Sequence, residues 1–352
     1  MRFEFITAHD ALGRLAEFSD VIDARSEGEF AEDHLPGALN WPSLNDAERQ
    51  IVGTHYKQIS AFEARKLGAA HVARNIAGHI EREVLAKPRE WRPLLYCWRG
   101  GKRSGSLALV LDQIGFQVTV IEGGYKAFRA AMVLDLPPLA AALHYKVICG
   151  ATGSGKTRLL QALRAQGAQV LDLEALANHR SSVLGLIPGV PQPTQKTFDR
   201  LIWTAVRSFV ASRAVYVESE SKKVGNVAVP EGLLQAMRRS PCLQMVMSED
   251  ERVALLLEDY DFFVRDTAFF CSRLSALTQA RGKETVTDWQ TRVENGDIAS
   301  VVRELLVKHY DPGYEQSMQR NFELYPQTGQ IQAHSRSEDA MQALAANVLA
   351  LN

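Results

Sequence analysis

Short apolar runs alternate with stretches of helical period over the first two thirds of the chain. Residues 21–23, 94–96 and 118–121 read as strands, and the segments between them, above all 61–85, place apolar side chains at three- and four-residue spacing. Alternation of this kind predicts a small parallel sheet with helices on its faces. Asp135-Leu136-Pro137-Pro138 then interrupts any regular element, since proline restricts the residue before it and donates no backbone hydrogen bond, so a domain boundary is placed after residue 137. A second series of strands follows at 145–149, 169–173, 214–218 and 242–247, with helices at 158–164 and 195–212 between them. From Glu249 onward the pattern turns acidic and mainly helical, and the polar stretch 325–337 reads as a loop. The expected class is α/β: one parallel-sheet domain over 1–137, a second over 138–247, and a mainly helical part over 248–352 packed on the second.

Composition narrows the class further. With 352 residues and 46% hydrophobic content, the chain is long enough for two or three packed cores. No stretch approaches the roughly 18 to 20 uninterrupted apolar residues of a membrane span, and Met1-Arg2-Phe3-Glu4-Phe5 lacks a basic region followed by an apolar signal core. A soluble, cytoplasmic protein without a membrane partner is expected. No heptad or exposed apolar stripe argues for an interface, so a monomer is expected too. The four cysteines include no CxxC pair, which argues against a zinc site and a disulfide framework. Cys149, Cys242 and Cys271 lie among apolar neighbours and read as packing residues, whereas Cys97 opens a loop of glycines and cations. Residues 138–247 carry 13 basic and 6 acidic side chains, a balance of +7, and residues 248–352 carry 10 and 17, a balance of −7. A basic middle suits a polyanion such as RNA; the plainer account is that the two opposite-signed segments pack on each other.

Two loops carry the candidate chemistry, each between an apolar strand and a helix, where backbone N–H groups and the helix dipole favour anions. The later one, Gly150-Ala151-Thr152-Gly153-Ser154-Gly155-Lys156-Thr157, matches the P-loop pattern without a gap. Its glycines turn backbone N–H groups inward, Lys156 supplies a point charge to terminal phosphates, and Thr157 has the hydroxyl that can ligate magnesium. The domain that carries it is expected to be P-loop NTPase-like. Strand-end acids that could organise magnesium are Glu218 with Glu220, or Asp172 with Glu174, although any one of them is equally read as a solvated carboxylate. Magnesium is therefore compatible with the sequence but not required by it, and no dedicated metal site is expected. Arg180, in His179-Arg180-Ser181-Ser182, belongs to a polar loop cluster that could contact substrate. Gly150, Gly153, Ser154, Gly155, Lys156, Thr157, Glu218, Asp172 and Arg180 form the expected phosphate-binding set.

The earlier loop is Cys97-Trp98-Arg99-Gly100-Gly101-Lys102-Arg103-Ser104. Successive amides, a helix N-terminus and the charges of Arg99, Lys102 and Arg103 all favour a thiolate at Cys97, the nucleophilic form of the side chain. Cys97, Arg103 and Arg99 are the expected catalytic residues. Cys97-x5-Arg103 is also the pattern of cysteine phosphatases, which stay open as an alternative. Asp23-Ala24-Arg25, Glu29-Phe30, the run from Asp33 to Pro42, the Cys97 loop and Glu122-Gly123-Gly124-Tyr125-Lys126-Ala127-Phe128 together resemble the rhodanese domain in order and spacing. That resemblance implies a rhodanese-like fold over 1–137 and a cysteine that carries sulfur or selenium.

Joined to the P-loop, His179-Arg180-Ser181-Ser182 and Glu218-Ser219-Glu220-Ser221, the rhodanese-like segment resembles the bacterial tRNA 2-selenouridine synthases across nearly the whole chain. Lys102 and Ser182 depart from that family's pattern without removing a chemical group the reaction needs. The resemblance implies a transferase that acts on tRNA carrying a 2-thiouridine wobble base and replaces its sulfur with selenium from selenophosphate. It also implies that the sulfur is first geranylated from geranyl diphosphate. On this reading the P-loop holds a diphosphate and Cys97 carries selenium. A P-loop kinase or NTPase regulated by a rhodanese module is the other open alternative.

Overall fold

Strand β4 (Pro93–Tyr96), four residues with no exposed side chain, follows β1 (Glu4–Ile6), β2 (Asp20–Asp23) and β3 (Ala38–Asn40) and precedes β5 (Thr119–Ile121). The five pair in the order β1-β5-β4-β2-β3, every contact parallel, so β4 lies at the centre. Continuous apolar runs suit this position, because helices cover both faces of a parallel sheet. Ile22, Leu95 and Val120 meet Leu107 and Leu111 from the helix Lys102–Ile114 in one core, joined by Trp41 and Trp91. The helical segment 61–85 is the helix Ala61–His79 followed by a wider turn at Ile80–Val84, packed beside a second helix, Asp46–Gln58.

This computed structural model describes residues 3–182 and 184–351, and its contacts divide the chain into two units between Leu136 and Pro137. The prolines that were expected to interrupt regular structure lie inside a helix, Gly124–Ala141. Proline already has the φ of a helix and sacrifices only its own N–H donor and some room near the preceding turn.

The second unit holds β6 (His144–Cys149), β7 (Gln169–Leu171), β8 (Ala214–Glu218), a small antiparallel hairpin of β9 (Lys223–Val224) and β10 (Val227–Ala228), β11 (Cys242–Met247) and β12 (Gly329–Ala333). Its main sheet runs β12-β11-β6-β8-β7, again all parallel, with β6 central. Strand β12 replaces the loop expected at 325–337. Ile331 and Ala333 are buried and the intervening Gln332 is exposed, a period of two too short to stand out among polar neighbours. Helix Glu338–Ala350 then packs Met341, Ala345 and Val348 into the sheet core, against Leu159 and Leu163. Helices between Glu249 and Leu305 build a separate cluster around Phe270, Leu274 and Trp289. The C-terminal hundred residues are thus divided: their helices make their own core, and their last strand and helix complete the sheet. Among the described residues, no helix is long and apolar enough to cross a membrane.

Candidate functional site

In open parallel sheets ligands meet the loops beyond the carboxyl ends of the central strands, and both candidate loops sit there, each in its own unit. Cys97 follows β4 with 3% of its surface exposed. The chain turns through Gly100 and Gly101, both left-handed at φ +70° and +69°, into the helix Lys102–Ile114. The Cys97 thiol donates to the Arg99 carbonyl at 3.9 Å. Behind the loop, the Tyr125 N–H reaches the Cys97 carbonyl at 2.8 Å and the Lys126 N–H reaches the Trp98 carbonyl at 3.1 Å. Gly124 permits that approach: a Cβ there would overlap the Cys97 carbonyl oxygen, and its φ is +58°. Gly124→Ala is expected to destabilise the first unit by about 2 kcal/mol or more, read as a lower denaturation midpoint by circular dichroism.

A buried charged cluster fixes the same loop from beneath. Arg25 donates from Nη2 to Asp23 at 2.6 Å and to the Asp33 carbonyl at 2.6 Å, and its guanidinium lies 4.0 Å from the Tyr125 ring centroid. The Tyr125 hydroxyl donates to the Asp33 carboxylate at 2.8 Å, and Trp98 stacks on the Tyr125 ring with centroids 5.6 Å apart. Arg103 does not stand free beside the thiol. Its guanidinium meets both Glu29 oxygens, at 2.6 and 3.2 Å. Burial alone would raise the Glu29 carboxyl, but Arg103, the Ser26 amide and Arg49 outweigh it and hold the group at about 2. Arg99 and Lys102 are exposed.

In the second unit β6 enters the P-loop, which ends at the helix Lys156–Ala165. Gly150 admits no side chain, since a Cβ would lie 2.5 Å from Ser154 Oγ and 2.8 Å from the Met245 carbonyl oxygen. Two residues that sequence reasoning missed hold the loop. The Gly150 N–H donates to the Tyr314 hydroxyl at 2.6 Å. Arg252 donates from Nε and Nη2 to the Thr152 carbonyl at 3.0 and 2.8 Å, and is itself paired with Asp311 at 2.6 Å. Only Pro312-Gly313, at the head of an otherwise helical stretch, hints in the sequence that this segment is special. Lys156 folds its ammonium back onto the Gly150 carbonyl at 2.5 Å, 5.5 Å from the Tyr314 ring centroid.

A cleft of about 1000 Å³ opens over this loop. Gly153, Ser154, Gly155, Lys156 and Thr157 line it together with Asp172, Glu174, Arg180 and Glu220, so most of the expected phosphate-binding set is brought together. Gly150 and Glu218 are not among the lining residues. Glu218 is 3% exposed, accepts the Glu174 N–H at 2.8 Å on one oxygen, and has no partner on the other among the described residues. Asp172 caps the helix Leu173–Ala177 by accepting the Ala175 N–H at 2.9 Å, and the Thr157 hydroxyl donates to Glu174 at 3.2 Å. Arg180 donates to the Asp259 carbonyl and lies 4.5 Å from the Tyr260 ring centroid. Ser181, left-handed at φ +49°, donates its hydroxyl to Glu220.

Burial dominates the electrostatics here. It lowers the Lys156 ammonium against the pull of Glu174, Glu220 and Glu218, and it raises the carboxyls of Glu174 and Glu218. Burial, then repulsion from Glu174, pushes Glu220 up to about 8. A carboxyl raised in the folded state binds its proton more tightly there than in the unfolded chain, so this group's contribution is lost as pH rises from about 4.5 through about 8. Wild type should therefore lose stability across that window by up to about 1.4 kcal/mol per pH unit from this group. Urea unfolding of Glu220→Gln at several pH values should show a flatter profile and higher relative stability at the alkaline end.

Opposite-signed segments also meet directly. Arg158 pairs with Glu258 at 3.1 Å and Asp259 at 2.7 Å, and Arg239 with Glu323 at 3.5 Å. Part of the charge asymmetry along the chain is therefore satisfied internally, as the plainer account held.

Comparison with known proteins matches a separate family model to each of the two units. Residues 7–131 match the family described as rhodanese-like domain, and residues 143–281 match the tRNA 2-selenouridine synthase AAA domain. Relatives bearing the name tRNA 2-selenouridine synthase include one from Nitrosomonas europaea, 37% identical over 68% of this chain and 63% of its own length. Another, from Alcanivorax borkumensis, is 34% identical over 71% of this chain and 69% of its own. A third, from Hydrogenovibrio crunogenus, is 31% identical over 85% of this chain and 89% of its own. With relatives at 34% and 31% identity matched over more than two thirds of both chains, the chain belongs to the tRNA 2-selenouridine synthase family of enzymes.

Proposed function

We propose that this chain converts wobble 2-thiouridine in tRNA to 2-selenouridine through an S-geranyl intermediate, with the two loops dividing the work. The supporting observation is that one chain holds a thiol at the mouth of a glycine-rich loop and a separate phosphate loop under a large cleft. In the first step the thiouridine sulfur attacks C1 of geranyl diphosphate. The new S–C bond forms as the C1–O bond breaks, the N3 proton is lost, and diphosphate leaves into the P-loop amides. Lys156 and Thr157 stabilise the charge that develops on the leaving oxygens. A magnesium ion accompanying the diphosphate would meet Thr157 and Glu174 and screen phosphate charge. Below its raised pKa, Glu220 is neutral and adds no repulsion to the bound anion.

In the second step water attacks the phosphorus of selenophosphate, orthophosphate leaves and the Se–P electron pair stays on selenium. The selenide then displaces an external thiol from a mixed disulfide on Cys97, that disulfide being the two-electron oxidant, and Cys97 carries the selenium as a selenosulfide. Arg99, exposed at the loop crest, meets the incoming anion, while Arg103 acts through Glu29 to position the loop. The terminal selenium then adds to C2 of the alkylated base and geranylthiolate departs with the C–S electrons. Two equivalents of an external thiol cleave the remaining Se–S bond, becoming a disulfide and returning Cys97. Alkylation matters because it turns a poor thiocarbonyl leaving group into a thiolate. The Cys-x5-Arg phosphatase reading is less well supported, since both Glu29 oxygens already occupy the Arg103 guanidinium. The test is mass spectrometry of nucleosides from thiolated tRNA treated with the purified chain and both donors, each omitted in turn. Without geranyl diphosphate neither product should form; without selenophosphate only S-geranyl-2-thiouridine should. Formation of 2-selenouridine with geranyl diphosphate omitted would overturn the proposed order.

A further inference from the structure

Beside the P-loop lies a second cavity of opposite character. Leu256, Phe263, Phe270, Ile298, Val302 and Leu305 line it, and it shares Thr152, Tyr260 and Tyr310 with the phosphate cleft. The shared Thr152 is the P-loop crest residue whose carbonyl Arg252 holds, so the apolar space begins at the rim of the anion site. A pocket of hydrophobic walls that opens onto a phosphate loop fits a ligand with a charged head and an apolar tail joined directly to it. We infer that this cavity, between the helices Glu249–Asp259, Thr267–Leu274 and Ile298–Leu305, receives the isoprenyl tail of an allylic diphosphate whose head rests on the P-loop. This rests on the assignment of the diphosphate to the P-loop.

Size sets the chain length. The cavity holds about 50 Å³, room for about four water-sized groups. A single terminal isoprene unit fits that space, and the carbons between it and the diphosphate lie along Leu256 and the rings of Tyr260 and Tyr310 at the mouth. On this assignment a ten-carbon chain reaches the pocket, a five-carbon chain gains little from it, and carbons beyond ten gain nothing further.

Calorimetric titration of the full chain with inorganic pyrophosphate and with dimethylallyl, geranyl and farnesyl diphosphates tests the assignment. Geranyl diphosphate is expected to bind wild type at least tenfold more tightly than pyrophosphate, by burying apolar carbons, with dimethylallyl diphosphate close to pyrophosphate and no further gain for farnesyl. Two variants narrow the cavity from different walls: Val302→Phe, at a partly buried position, and Val264→Trp, at one 43% exposed and therefore tolerant of a larger ring. Either should abolish most of the geranyl gain while pyrophosphate binds within about twofold of wild type, a result that also reports an intact fold. Equal binding of pyrophosphate and geranyl diphosphate by wild type would overturn the pocket and leave the diphosphate assignment standing. So would variants that keep the full gain. Loss of ATP binding in the variants, with geranyl diphosphate unaffected, would make the cavity a nucleoside site instead. If neither pyrophosphate nor geranyl diphosphate binds wild type while ATP or selenophosphate does, the diphosphate assignment itself fails and the tail site with it.

Discussion

Cys97→Ser is expected to stop the reaction at S-geranyl-2-thiouridine, with geranylation at the wild-type rate and 2-selenouridine reduced by at least about a thousandfold. The substitution exchanges one sulfur atom for oxygen in a loop held by backbone contacts. The Tyr125 and Lys126 amides grip the carbonyls of Cys97 and Trp98, and neither bond involves the thiol. The stacked Trp98–Tyr125 pair and the Asp23–Arg25 cluster beneath it also survive. Loss of selenation therefore reports the missing carrier sulfur and not a collapsed domain. Nucleosides digested from tRNA of a strain carrying only the variant supply the measurement, and retained 2-selenouridine would rule out Cys97 as the selenium carrier.

Lys156→Ala should fail one step earlier. Removing a cation that stabilises a leaving diphosphate is expected to lower the geranyl step by roughly a hundred- to a thousandfold, and the RNA should stay as 2-thiouridine. Because Lys156 sits among Glu174, Glu218 and Glu220, its truncation leaves those acids less balanced and pushes them further toward the neutral form. A denaturation midpoint measured alongside separates that effect from catalysis. The decisive arm supplies RNA already S-geranylated. Lys156→Ala should convert it to 2-selenouridine at close to the wild-type rate, and Cys97→Ser should not convert it at all. If Lys156→Ala lost selenation of the pre-alkylated RNA, the P-loop would be assigned to selenophosphate or a nucleotide.

These opposite outcomes follow from the proposed division of labour, and the fold gives each loop a scaffold of its own. Each loop extends from the central strand of its own parallel sheet, β4 or β6, where neighbouring strands on both sides hold the strand end in place. Cys97 and Lys156 are thereby carried on rigid scaffolds, and each is fastened by residues remote in sequence: Gly124 and Tyr125 for the first, Tyr314 and Arg252 for the second.

Local sequence was sufficient wherever the physics is local. Both strand-loop-helix units, their glycines, the thiol, the lysine and the alternation that makes parallel sheets are properties of short windows, and each was legible from residue spacing. The acids Asp172, Glu174 and Glu220 were legible as strand-end carboxylates but not as a set. Five features depended on tertiary structure. Ile331-Gln332-Ala333 becomes a strand because an unpaired edge of β11 is there to receive it, and no five-residue polar window carries that information. Arg103 looks like a free anion ligand in its motif and is instead bound by Glu29, 74 positions earlier. Tyr314 and Arg252 reach the P-loop across separations of 164 and 100 residues. The raised carboxyls of Glu218 and Glu220, and the apolar cavity opening at Thr152, arise from burial, which depends on how distant helices pack and on no pattern along the chain. The sequence thus determined which reactive groups the protein carries and on what kind of turn, because backbone turns and amide cradles are encoded by neighbours. Only the tertiary structure decided which of those groups are occupied, neutral or open to a ligand, because charge state and access are set by whatever the fold brings alongside.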